Sequence, residues 1–140
     1  MINIKNMLDN ITVKNNARIT VPKGTVLINK NGSSKTSKVC PNCGTWISHW
    51  KKLSGKDLPK DGDCAVAMCD GKTKNGHLAK IEGCHVIIKG ETDNSVYIAP
   101  LCESCNHCAE GTNLQLKRDT VLVRANVSET CSKLKVVRYN

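Results

Sequence analysis

The chain has 140 residues and a mass of 15.3 kDa, enough for one domain, and no apolar run in it approaches the ~18 residues of a membrane span. Lys and Arg number 21 against 12 Asp and Glu, a formal charge of +9, which excludes an acidic mimic of DNA and fits a polyanionic partner. Aromatic mass is small, with no Phe, two Trp and two Tyr, whereas Cys is abundant at nine, so something besides apolar burial is expected to help hold the fold.

The opening MINIKNMLDN lacks the apolar core of an export signal, so a reducing, cytoplasmic setting is expected. Residues 11–13 and 17–21 read as short strands flanking Lys14-Asn15-Asn16, a hairpin-like connection. Pro22-Lys23-Gly24 then turns the chain into a strand at 25–28. Residues 31–38 are polar, Ser-rich and basic, a linker composition. Trp46, Trp50 and Leu53 recur at i, i+4 and i+7, which predicts a helix with Thr45 as its N-cap and the two indoles in a core. His49 falls beside that face, as a solvated side chain or a structural hydrogen-bonding group. Residues 85–88 and 95–98 predict a β-hairpin ended by Pro100, and strand character returns at 120–123 and 134–137.

In a reducing compartment, closely spaced Cys are metal ligands more often than disulfides, and an odd number cannot pair completely. Cys40-Pro-Asn-Cys43-Gly44 has the form of a zinc knuckle, and Cys102-Glu-Ser-Cys105 is a second CxxC that should open a helix. Together Cys40, Cys43, Cys102 and Cys105 could supply a closed set of four thiolates for one Zn²⁺. A second metal could draw on Cys64, Cys69 and His85 with Cys84, His107 or Cys108. Four thiolates on one Zn²⁺ carry a net −2, which leaves the protein basic.

Charge is uneven along the chain. Residues 1–38 hold seven basic residues and one acid, residues 117–140 six and two, and residues 90–116 four acids with no Lys or Arg. Lys5, Lys14, Arg18, Arg124 and Arg138 on these flanks are the candidate contacts to a phosphate backbone.

Knuckle, helix, β-hairpin and a helix opened by CxxC follow the order of a treble-clef zinc fold. Cys84-His85-Val86, followed by Pro100-Leu101-Cys102-Glu103-Ser104-Cys105-Asn106, resembles the HNH endonuclease superfamily. It also looks like a group of small proteins with CPxCG, a Gly-x-His-Val step and a Pro-Leu-Cys-x-x-Cys-Asn step. The resemblance implies an α+β fold, a zinc-stabilised treble-clef (ββα-metal-like) centre over 39–111. A basic β-rich segment, 1–38, would precede it, and C-terminal β-strands, 112–140, would pack on it as part of one domain. It further implies His85 as general base and Asn106 as distal ligand of a catalytic Mg²⁺ or Mn²⁺. The residue before the hairpin His is most often a carboxylate in that family and is Cys84 here, a poor ligand for a hard cation. The expectation is therefore a noncatalytic zinc protein that binds nucleic acid, DNA or RNA, through its basic flanks. The alternatives are an HNH-type nuclease and a small phage or mobile-element inhibitor with a protein partner.

Overall fold

The computed structural model describes residues 17–30, 39 and 43–125. The expected strands at 11–13 and 134–137, the linker at 31–38, and Lys5, Lys14, Cys40 and Arg138 lie outside the described residues. What is described is an α+β arrangement: six antiparallel strands in one curled sheet, one helix of nine residues and one single-turn helix. No helix among the described residues is long and apolar enough to cross a membrane.

In chain order the elements are β1 (Arg18–Val21), β2 (Val26–Asn29), α1 (Trp46–Ser54), β3 (Ile81–Ile88), β4 (Tyr97–Cys102), α2 (Glu103–Asn106), β5 (Asn113–Gln115) and β6 (Thr120–Arg124). The strand order is β1-β6-β4-β3-β2-β5, which interleaves the N-terminal, middle and C-terminal segments. β1 pairs with β6, Arg18 opposite Val123. The central hairpin is longer than its most apolar stretch suggests, because β3 and β4 stay in register from Val86↔Tyr97 to Ile81↔Cys102. Pro100 sits inside β4 instead of ending it. β6 reaches β4 only at Tyr97 and Ile98, so one flank of β4 is unpaired at Pro100, and a residue without an N–H interrupts no ladder there.

Alternation along the strands separates two cores. Cys84 and Val86 join Leu27, Ala99, Leu101, Leu114 and Leu122 on one side. His85 and Ile98 face the other way, toward α1, where Ile98 packs with Trp50 and Val123. α1 begins where predicted: the Thr45 hydroxyl accepts from the Ser48 N–H at 3.1 Å, a standard N-cap. It ends at Gly55, in the left-handed region at φ 68°, whose N–H donates to the Lys51 carbonyl. The helix lies so close to β3 that a Cβ on Gly83 would stand 2.5 Å from the Trp46 carbonyl carbon. Gly83→Ala should therefore push α1 off the sheet. A destabilisation of about 1–3 kcal/mol, the range for overpacking, is expected in denaturant titration, whereas an unchanged midpoint would mean that the close approach is not maintained in solution.

Candidate metal centre

The end of β4 and the start of β3 are brought together by their register, and the loop that precedes β3 arrives with them. That loop, residues 62–80, is tied by its own backbone: Gly62 N–H to Ala79 O at 2.8 Å, Ala79 N–H to Gly71 O at 2.8 Å, and Glu103 N–H to Lys80 O at 2.7 Å. Its first part runs beside β5, with Ala67 N–H donating to Gln115 O and Lys117 N–H to Ala65 O. A Cβ on Gly71 would run into the Gly62 carbonyl, so glycine is required where the loop closes on itself. The loop thereby places Cys64 and Cys69 against Cys102, the last residue of β4, and Cys105 in α2.

The ligand atoms of these four cysteines all lie within 4.8 Å of one another. Cys64 and Cys105 sulfurs are 3.7 Å apart, and those of Cys69 and Cys102 are 3.5 Å apart. Disulfide sulfurs stand ~2.05 Å apart, so these are free thiols. Tetrahedral Zn²⁺ with Zn–S of ~2.3 Å has sulfurs about 3.8 Å apart, which these two spacings nearly meet. Cys64, Cys102 and Cys105 are buried and Cys69 is half-buried. Backbone N–H groups also point at the sulfurs: Gly71 at Cys69, at 3.4 Å, Val66 at Cys64 and Cys105 at Cys102. Such N–H groups favour thiolate over thiol. Cys64 is pushed down to about 5, first by the hydrogen bond from the Cys105 thiol and then by backbone N–H groups, so it is the proton most readily lost. Four cysteines thus stand close enough to hold a metal such as zinc, in a set with no open position.

This grouping differs from the one expected from spacing. Among the described residues, Cys102 and Cys105 meet Cys64 and Cys69, so the cluster takes two members from each of the two metal sets expected from sequence. Cys43 is on the α1 side, its sulfur 3.4 Å from His49 Nδ1. His49 Nε2 is in turn 2.8 Å from the Arg124 carbonyl oxygen, and Arg124 lies opposite Tyr97. Tyr97 and Cys102 are five steps apart on β4, roughly 16 Å of strand, which keeps Cys43 from the four-cysteine cluster. Cys40 lies outside the described residues.

The remaining candidates have other surroundings. Cys84 is fully buried and burial pushes its thiol up; its sulfur is within weak hydrogen-bonding distance of Asn29 Oδ1 and His85 O. Asn29 also donates to the carbonyl and sulfur of Cys108, at 2.9 and 3.0 Å. Asn106 Nδ2 donates to Glu82 Oε1 at 2.8 Å, and His107 Nε2 stands 3.2 Å from the same oxygen, which ties α2 to β3. His85 is 1% exposed, its ring edge-on to Trp46 at 4.6 Å between centroids. Burial holds it well below the usual imidazole range, at about 4, and neither ring nitrogen has a hydrogen-bond partner. A general base must reach the water it deprotonates, and His85 is packed away from solvent. Arg18 donates to the Ser54 carbonyl at 2.7 Å, and Arg124 donates to Ser95 Oγ while lying over the Tyr97 ring.

In comparisons with protein families, curated proteins and solved structures, nothing matches this chain.

Proposed function

We propose that this is a zinc-stabilised, noncatalytic nucleic-acid-binding module, in which the four-cysteine centre holds the fold and basic side chains at the C-terminal end of α1 meet the phosphate backbone. The observation that carries the reading is the gathering of positive charge at that end. The Arg18 guanidinium is fixed on the last carbonyl of α1, and Lys51, Lys52 and Lys56 are exposed on the same end of the helix. A net charge of +9, about +7 with four thiolates on one zinc, gives long-range attraction. The order of motifs in the sequence, which resembles that of HNH-like proteins, supports the same class of partner, and the burial of His85 supports binding without cleavage.

Binding of this kind releases counterions, so affinity for DNA or RNA should fall steeply with salt and depend little on sequence. Lys51→Glu with Lys56→Glu should remove two contacts. The slope of log K against log salt on duplex DNA should then flatten by about 0.9 per contact, with zinc content unchanged. Fluorescence anisotropy on duplex and single-stranded DNA and RNA at low and high salt measures this. Absence of binding to all of them at low salt would reject the proposal and put a protein partner in its place. Cleavage in Mg²⁺ or Mn²⁺ that is lost in His85→Ala would replace it with the nuclease.

A further inference from the structure

Away from the four-cysteine cluster, the α1 side of the sheet holds a second set of soft donors. His49 is fully buried, and its Nε2 is 2.8 Å from the Arg124 carbonyl. A carbonyl oxygen only accepts, so Nε2 carries the proton and Nδ1 presents its lone pair. That lone pair lies 3.4 Å from the Cys43 sulfur. An imidazole fixed through one nitrogen by a backbone carbonyl, with the other nitrogen beside a cysteine sulfur, is the arrangement of a zinc-ligating histidine with its supporting hydrogen bond. The distance suits two ligands of one tetrahedral ion.

The second, independent observation is His85. It is 1% exposed, and both of its ring nitrogens lack partners. A neutral imidazole keeps one N–H and one lone pair, so the site buries two unmet polar atoms, which native interiors rarely do. Trp46 touches both histidines edge to face, with centroids 5.3 Å from His49 and 4.6 Å from His85. His85 therefore stands one indole away from the Cys43–His49 pair, on the strand that α1 covers.

We propose that Cys43, His49 and His85 form a second zinc site on the α1 face, with Cys43 Sγ and His49 Nδ1 as the anchoring pair and His85 as a third donor drawn in by an adjustment of Trp46. The ion would pin α1 to β3 and give the orphaned imidazole a partner. A thiol–imidazole nucleophile is the other chemistry such a pair supports, but a fully buried His49 gives a substrate no approach. The site is independent of the four-cysteine centre: it shares no residue with it, and its His49 is held on Arg124, opposite Tyr97 at the other end of β4 from Cys102.

The test is zinc and cobalt binding by the full chain. Native mass spectrometry of zinc-loaded protein should show about two equivalents, one for each set of donors. Zinc-edge absorption fine structure should require nitrogen as well as sulfur neighbours. The double variant Cys43→Ser/His49→Gln should lose about one equivalent and leave an all-sulfur shell. In cobalt-loaded protein, the band lost with Cys43 and His49 should carry weaker sulfur-to-metal charge transfer than the band that remains. His85→Asn should weaken the mixed site at least tenfold in competition with a chelator while leaving the all-sulfur site unchanged. One equivalent with an all-sulfur shell in the unmodified chain would overturn the second site and leave the four-cysteine centre standing. One equivalent with a mixed shell, lost with Cys43 and His49, would do the reverse. Because the unmodified chain is read directly, a variant that fails to fold does not prevent the decision.

Discussion

Stripping metal from the folded chain is expected to abolish its cooperative melting transition. The four cysteines tie together three pieces of backbone: the loop at Cys64–Cys69, the end of β4 and the single turn of α2. α2 is four residues long, far below the length at which a helix is stable by itself. Structural zinc is worth about 10–16 kcal/mol in small zinc-dependent folds at neutral pH, and a domain of ordinary size is stable by only about 5–15 kcal/mol. Loss of the metal therefore exceeds or exhausts the stability available. It also leaves four thiols in a core whose Cys64 and Cys102 are almost wholly buried. Circular dichroism in the near ultraviolet should lose its fixed aromatic signal on chelation, and Cys105→Ser should behave in the same way. Melting unchanged in a metal-free sample would mean that the cluster is an ordinary core of thiols.

Trp50→Ala should be the most damaging substitution away from the metal. The chain has no Phe and only two Trp, so one indole carries much of the second core. Trp50 is 3% exposed, packs with Ile98 and Val123, and donates its Nε1–H to the Val121 carbonyl at 2.8 Å. Truncation removes the ring, opens a cavity and strands that carbonyl, for an expected loss of about 3–5 kcal/mol. The melting temperature should fall by on the order of 10 °C. Trp50→Phe, which keeps most of the packing and loses the hydrogen bond, should recover more than half of that. Four-cysteine zinc should be retained in both, since Trp50 packs on Ile98 and Val123 and not on the four cysteines. Equal melting of Trp50→Ala and the unmodified chain would show that α1 does not pack as described.

The sequence was legible where a single local signal decides the outcome. Thr45, with the i, i+4, i+7 spacing of Trp46, Trp50 and Leu53, announced α1 and its cap, and the strands expected at 25–28 and 120–123 lie within one residue of β2 (Val26–Asn29) and β6 (Thr120–Arg124). The second CxxC opened a helical turn, as its spacing indicates. What depends on long-range pairing was not legible. β1 joins β6 across almost the whole chain, and the three-residue β5 has too little alternation to be noticed. Pro100 was read as a strand end because the open flank that tolerates it is set by the length of β6.

The same limit governed the cysteines. Two CxxC pairs suggested one another because their spacing is alike, whereas Cys64 and Cys69, five apart, carry no such signature. The missing signal was the full length of the β3–β4 hairpin. Extending its register to Ile81↔Cys102 brings the loop before β3, and with it Cys64 and Cys69, to the second CxxC. For His49 the sequence left open a solvated side chain or a structural hydrogen-bonding group, and its burial and its bond to Arg124 decide for the second. Its contact with Cys43 depends on a helix face and a turn meeting in space, which spacing alone does not encode.

The most direct test of the four-cysteine centre is cadmium-113 NMR of the cadmium-loaded chain, compared with Cys64→Ser, Cys69→Ser and Cys43→Ser variants. A resonance is expected at the far-downfield position of four sulfur ligands, lost or moved upfield in Cys64→Ser and in Cys69→Ser and kept in Cys43→Ser. An all-sulfur resonance that survives both loop variants and disappears with Cys43 would contradict it, and would return Cys102 and Cys105 to the partners that the CxxC spacing alone suggested.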